Sequence, residues 1–373
     1  MARRESANGE TLLFVRSACD MPPLVNDDLA ERIRMSRDPD QVSDWPSDRL
    51  EYLRDAGVFR WGLPVEFGGL PLTGSQMLEG YIELARLCLT TAFILTQRDA
   101  ACHRIANSEN LALRQKLLPD HCAGRALATV GISHLSTSRQ HWSRPSVIAH
   151  RTGDGFELTG EAPWVTGARH ADLLVTGATI DDEQQILVAI PTTRTGVNIG
   201  EPLKLMALNA SCTGSVNLER VAVSTAEIVA GPASHVMKLD AKGGTGSFTT
   251  TAVAIGAAQR TLDGLRGESE SRRELAEIVS ALSTEHASLR EDLLAAATRQ
   301  SAGTMVQGAA EQLRQRANSI ASRAALAYVC SAKGAGFVSG HPAERSLREA
   351  MFFQVWSCPP AVTKGTLHEL AHR

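Results

Sequence analysis

Apolar positions in the first third of the chain recur at helical spacing. Over "SQMLEGYIELARLCLTTAFILTQRDAACHRIA", Met77, Leu78, Tyr81, Leu84, Leu87, Leu89, Ala92 and Leu95 fall mostly three or four apart, predicting a continuous apolar helical face that must be buried. Just before it, "PSDRLEYLRDAGVFRWGLPVEFGGL" predicts a short helix stopped by Gly57, then a loop punctuated by Pro64, Gly68 and Gly69. The period changes near Ala126. Short β-branched runs follow ("ALATVGI", "SVIAHR", "GFELTG", "DLLVTGAT", "ILVAIPT"), separated by Gly, Pro, Asp and Asn. In "SVNLERVAV", Val216, Leu218, Val221 and Val223 predict one buried sheet face, interrupted near Glu219 and Arg220. Helix returns near Gly243 in long amphipathic segments, with Leu313, Ala317, Ile320, Ala324 and Ala327 forming a small-residue seam that suits close-packed helices. The pattern predicts an α+β protein: a helical part at 1–125, a β-barrel or sandwich at 126–235 and a helical bundle at 236–373.

Composition narrows the function classes. A net charge of −3 with no basic stripe argues against a nucleic-acid scaffold. The most apolar helical run, "TAVAIGAA", is far too short to span a bilayer, and "LLFV" near the N-terminus is too short for a secretory core, so the expected setting is the cytoplasm. Seven cysteines, scattered and never spaced CxxC, fit reduced thiols and no zinc site.

Four segments carry a resemblance. "LRDAGVFRWGLPVEFGGLPLT", "GFELTGEAPWVTGARHADLLVTGA", "IGAAQRTLD" and "GAGFVSGHPAERSLREAMFFQVW" are similar, in this order, to the signature stretches of the acyl-CoA dehydrogenase family. That resemblance implies an N-terminal helical domain, a middle β-barrel and a C-terminal four-helix bundle, with FAD as cofactor. It places Trp164 against the flavin ring, Thr166 at the flavin N5 edge and Val165 between them. "ATVGISHLSTS" occupies the place of another family motif, so Ile132 and Ser133 correspond to residues at the flavin pyrimidine ring. Thr137 and Ser138 fall in its diphosphate turn, where both family glycines are missing. Arg272 matches the arginine that reaches the diphosphate of a neighbouring subunit's FAD, and Gly334 the "GGxG" turn after the bundle helix. The family habit implies a homodimer or homotetramer, and an electron-transfer flavoprotein or a flavin reductase as redox partner.

The catalytic glutamate of the family has no counterpart. On its turn the matching residues are Trp356 for Tyr, Ser357 for Glu and Cys358 for Gly; the alternative position on a bundle helix is Gly246. Trp356, Ser357 and Gly246 are thus the expected substrate-pocket residues. His134, Cys358 and Asp263 are substitute bases to consider. Three readings stay open: Cα–Cβ dehydrogenation of an acyl thioester with a base from elsewhere, monooxygenation by a flavin that needs no carboxylate there, or a non-catalytic homologue. Arg348 is expected in a helix-end ion pair, and Glu344 with Arg345 on a solvated face.

Overall fold

A computed structural model describes residues 23–41, 43–136, 144–180, 184–239, 246–304 and 308–372. Among the described residues five α-helices come first: α1 (Asp27–Met35), α2 (Ser47–Asp55), α3 (Gly74–Leu87), α4 (Leu89–Ala106) and α5 (Leu111–Cys122). The helical run around residues 74–106 is therefore two helices. Cys88 breaks it: its backbone is extended (φ −157°), it ends α3, and its sulfur accepts from the Thr91 amide to cap α4. From Leu89 to Ile105 α4 is buried on nearly every side, so only α3 keeps an amphipathic face. Gly57 does stop α2, in the left-handed conformation.

Strand β1 (Ala128–Gly131), the one-turn helix α6 (Ser133–Ser136) and strands β2 (Val147–Thr152), β3 (Gly155–Val165), β4 (Leu173–Ile180), β5 (Gln185–Pro191), β6 (Val197–Ile199), β7 (Gly214–Ser224) and β8 (Ile228–Ala233) build the middle of the chain. They form one eight-stranded sheet in the order β6-β7-β3-β2-β4-β5-β8, with β1 parallel to β4. In β4 and β5 alternate residues enter different cores. Leu174, Ala178, Ile186, Val188 and Ile190 join the interior shared with β3 and β7, whereas Leu173, Val175, Leu187 and Ala189 pack with Ala101, Ile105 and Leu118 of the helices. Burial on both faces explains why these strands read as unbroken apolar runs. In β7 the alternation breaks as expected: Glu219 and Arg220 face Thr159 alone, and Arg220 takes a positive φ.

After the short helix α7 (Val236–Leu239) come α8 (Gly246–Ser271), α9 (Ala276–Ser301), α10 (Ala309–Ala332), α11 (Pro342–Phe352) and α12 (Pro360–His372). Helices α3, α8, α9 and α10 share one core, in which Leu313, Ala317, Ile320 and Ala324 are buried. A Cβ on Gly256 would lie 2.2 Å from the Ile82 carbonyl oxygen, so this close crossing of α8 on α3 requires glycine.

The segment after α1 straps these parts together. Asp38 meets Arg345 at 2.6 Å, Arg260 at 2.8 Å and Arg49 at 3.3 Å, while Glu349 binds Arg345 at 2.7 Å. Arg345 therefore does not lie on a solvated face. Its side chain is 11% exposed and held between two carboxylates, because α11 turns it toward the strap. Glu344 pairs instead with Arg348 at 2.5 Å, and Arg348 also reaches Asp40 at 3.4 Å, the ion pair expected of it. At the far end of the strap, Trp45 stacks on His170 with ring centroids 4.0 Å apart.

Burial alone would raise the Asp38 carboxyl, but the charges of Arg260 and Arg345 outweigh it and hold it below the ordinary value of 3.8. A carboxyl lowered by folding contributes stability above the unfolded value, and loses it as pH falls through the folded one. Asp38→Asn should thus cost about 1–2 kcal/mol near pH 7, with the deficit shrinking below about pH 3. Urea midpoints of both proteins at the two pH values check this; an equal deficit at both contradicts it.

Candidate active site

The Trp164 segment owes its shape to Pro163. Proline cannot donate to a sheet ladder, and here the ladder between β3 and β7 slips, so that Pro163 and Trp164 oppose Ser215 alone. Trp164 takes φ +59°, a left-handed conformation costly for an aromatic residue, and its side chain is 51% exposed. Val165 then enters the interior, fully buried. Thr166 follows at 2% exposed, its hydroxyl 3.0 Å from that of Thr213 and its carbonyl accepting from Thr129 at 2.6 Å. Gly167 (φ +63°) closes the turn beneath Trp45, whose ring leaves no space for a Cβ.

The exit of β1 lies beside this turn. Thr176 of β4 donates to the Gly131 carbonyl at 2.7 Å, and the Ser133 hydroxyl donates to the Pro163 carbonyl at 2.9 Å, joining the Ile132–Ser133 backbone to the bulge. Ile132 is half-buried against the helix-side core. His134 is 8% exposed with Nε2 at 3.0 Å from the Gly177 carbonyl, which holds its ring against the sheet. Thr137 and Ser138 lie outside the described residues.

The second turn follows α11. Trp356 stacks on Phe352 at 4.9 Å and meets the edge of Phe93 of α4 at 5.2 Å, giving an aromatic floor. Ser357 is exposed and takes φ +48°. Cys358 turns inward, its thiol donating to the Phe353 carbonyl at 3.2 Å. Beneath lies Arg314 of α10, 2% exposed, donating from one Nη to the carbonyls of Phe353 (3.1 Å) and Trp356 (2.9 Å). No carboxylate pairs with it among the described residues. The guanidinium instead caps the negative end of α11 and sits 5.9 and 5.8 Å from the ring centroids of Phe353 and Trp356. Burial pushes it below its ordinary range, yet a guanidinium keeps its charge in proteins. Nothing in the sequence pattern singled Arg314 out, since it falls beside a helical seam otherwise apolar.

The remaining expected residues lie on other elements. Gly246 begins α8. Arg272 donates to the Ser331 carbonyl and pairs with Glu268, joining the ends of α8 and α10. Gly334 stands in a 3₁₀ turn, with open space where a Cβ would be. Asp263 is bound by Arg86 (2.7 Å), Arg266 (3.0 Å) and Gln259 (2.9 Å) in a network on α8. The thiol of Cys358, the ring of His134 and the carboxylate of Asp263 each therefore have a structural partner, and none of the described residues forms a cluster that could hold a metal ion. No helix among them is long and apolar enough to cross a membrane.

Residues 24–125 match the family model described as acyl-CoA dehydrogenase, N-terminal domain. The probable acyl-CoA dehydrogenase YngJ of Bacillus subtilis is 22% identical over 336 residues, covering 85% of this chain and 87% of its own. The match to the acyl-CoA dehydrogenase family model is thus confined to the N-terminal part of the chain, while the similarity to a probable acyl-CoA dehydrogenase runs over most of it. Solved structures agree in fold: butyryl-CoA dehydrogenase from Megasphaera elsdenii superimposes with a TM-score of 0.78 at 18% identity, over 92% of this chain and 96% of that one. A glutaryl-CoA dehydrogenase from Mycobacterium smegmatis in complex with FADH2 gives a TM-score of 0.77 at 16% identity, over 95% and 97%. The turn at 356–358 carries a hydroxyl and a thiol and no carboxylate.

Arg314→Met should destabilise the protein by about 2–3 kcal/mol, because two buried helix-end carbonyls lose a charged donor. Arg314→Lys, which keeps a cation there, should recover most of that loss. Urea unfolding followed by circular dichroism measures both, and a neutral Arg314→Met would contradict the capping role.

Proposed function

We propose that the chain is a FAD-dependent oxidoreductase acting on an acyl thioester, with Cα–Cβ dehydrogenation as its nominal reaction. The observation that carries this reading is the Trp164–Thr166 bulge. It places an exposed aromatic face on a strained backbone, two residues before a buried hydroxyl, in a chain with 5% aromatic residues. The donor set suits the flavin. Trp164 would lie against its ring, the Thr166 hydroxyl would face the N5 edge, and Ile132 with Ser133 would meet the pyrimidine edge. When bound, FAD supplies a hydride acceptor. The work left to the protein is to orient the substrate over that ring, exclude water and hold polar atoms in place. Trp356, backed by Phe352 and Phe93, would wall the acyl group, while Arg314 fixes the turn that carries Ser357. Homo-oligomerisation belongs to the same proposal. Leu326, Phe337, Val338, Val355, Leu367 and Leu370 are large apolar side chains left exposed in the C-terminal part of the chain.

A second reading, flavin-dependent monooxygenation, is favoured by one feature. Ser357 occupies the turn as an exposed hydroxyl, which cannot take an α-proton at neutral pH. Thr137, Ser138 and Arg272 remain proposed contacts to the FAD diphosphate, Arg272 in a partner subunit.

Purified protein supplied with FAD should be yellow, and Trp164→Ala should weaken FAD binding by about tenfold or more, the loss of one aromatic stacking partner. Protein that stays colourless with excess FAD points to a non-catalytic role. Under the dehydrogenase reading an acyl-CoA panel bleaches the flavin anaerobically, and Ser357→Glu accelerates bleaching by about 10²–10⁴ by supplying a base. If bleaching requires an external reductase and product requires oxygen, the second reading holds.

A further inference from the structure

We propose that Ser211 and Thr213 fix the direction of the Thr166 hydroxyl through a chain of three buried hydroxyls, so that Thr166 presents its proton to an acceptor outside the chain. Resting on the flavin-binding reading above, this assigns Ser211 and Thr213 as positioning residues for the flavin N5 edge.

The three oxygens are linked in series. Ser211 Oγ lies 2.8 Å from Thr213 Oγ1, and Thr213 Oγ1 lies 3.0 Å from Thr166 Oγ1. The residues are 0%, 4% and 2% exposed. Three hydroxyls carry three protons and two links use two of them, so one proton is left over. Three arrangements are possible; if Thr213 accepts from both neighbours, its own proton is left without an acceptor inside the protein, where Thr213 is 4% exposed, at the cost of an unmet buried donor. If Thr166 donates to Thr213 and Thr213 to Ser211, the surplus proton sits on Ser211, whose hydroxyl has no further partner among the described residues. Ser211 lies in the 3₁₀ turn Asn209–Ser211, wholly buried, and an unmet donor there would cost about 1–3 kcal/mol. In the opposite polarity Ser211 donates to Thr213, Thr213 donates to Thr166, and the surplus proton sits on Thr166. That end adjoins the half-exposed Trp164, where a ligand atom can accept it.

The backbone holds this arrangement at some cost. Cys212, between the two relay residues, takes φ +48°, and Leu208 before the turn takes φ +63°; neither is glycine. The Thr213 carbonyl accepts from the Leu203 amide at 2.8 Å, and the Thr166 carbonyl accepts from Thr129 at 2.6 Å, so both hydroxyl-bearing residues are fixed through their main chains. With Thr213 donating to it, the Thr166 oxygen has its proton free for an outside acceptor. An sp² ring nitrogen such as oxidised flavin N5 is an acceptor of that kind.

The test uses the full-length holoprotein and four variants: Thr166→Val, Thr213→Val, the double variant and Thr213→Ser. FAD affinity, the shape and position of the long-wavelength flavin absorption band and the flavin midpoint potential are measured for each. Thr166→Val and Thr213→Val should each weaken FAD binding by about three- to tenfold and move the band and the potential in the same direction. The double variant should behave like Thr166→Val alone, since the relay acts only through that hydroxyl, and Thr213→Ser should restore wild-type values. A Thr213→Val protein with wild-type affinity, band and potential overturns the proposal, as do additive effects in the double variant. Should Thr213→Val fail to fold, Ser211→Ala replaces it: a shift in the same direction that vanishes in the Thr166→Val background supports the relay, and no shift overturns it. If no form of the protein takes up FAD, it is the flavin reading itself that fails.

Discussion

Two strands covered on both faces, β4 and β5, hold this molecule together. Their alternate side chains enter the strand-side and helix-side cores, so the sheet cannot slide against α4 and α5 without opening both at once. Everything assigned to the candidate site hangs from that rigid pair. The exit of β1 is pinned to β4 through the Thr176 hydroxyl, and the His134 ring is held by the Gly177 carbonyl. The Thr166–Gly167 turn leads directly into β4, while Asp172 accepts from the Leu127 amide at 2.8 Å to set the start of β1. A site built on such supports keeps its polar atoms in register before any ligand arrives.

How much of this was legible follows from the range of each interaction. The continuous runs of β4 and β5, the break at Glu219 and Arg220, and the Gly57 stop are written locally, so periodicity and turn chemistry found them. Cys88 was not legible as a helix break. Apolar spacing passes through it unchanged, and only the extended backbone with its sulfur cap separates α3 from α4. Arg345 misled for a related reason: neighbouring charges on a helix read as solvated until a distant Asp38 is brought against them. In the candidate site Trp164 stood out through its motif, whereas the link from Thr166 to Thr213 spans 47 residues and leaves no periodic trace. Arg314, 42 residues from the Trp356 carbonyl it binds, was hidden in the same way.

Strain is distributed unevenly. Trp164, Leu208, Cys212, Arg220, Lys333 and Ser357 are the described non-glycine residues with positive φ. One of them, Arg220, is accounted for by a bulge in a solvent-facing stretch of sheet. Trp164, Cys212 and Ser357 instead belong to the three segments that supply the candidate aromatic face, the proposed hydroxyl relay and the proposed substrate turn. Each such residue costs of order 1–3 kcal/mol and persists only where surrounding structure over-determines it. Here that structure is identifiable: Pro163 sits in the bulge, the Leu203 amide anchors Thr213, and Arg314 clamps the Phe353 and Trp356 carbonyls just past the end of α11.

The polar groups gathered at these segments share one property. Thr129, Thr166, Thr176, Thr213, Ser133 and Ser211 are hydroxyls, each engaged with a carbonyl or another hydroxyl, and Ser357 adds an exposed one. Hydroxyls orient, donate and accept, but at neutral pH they do not take up a proton. The cation bound to the second turn, Arg314, is permanently charged and faces backbone carbonyls. The two described side chains at these turns that could exchange a proton, the His134 ring and the Cys358 thiol, are each engaged with a backbone carbonyl, of Gly177 and of Phe353. Holding polar atoms in fixed directions is therefore what the described side chains of the two turns do, and a proton acceptor among them would first have to give up a bond that supports the fold.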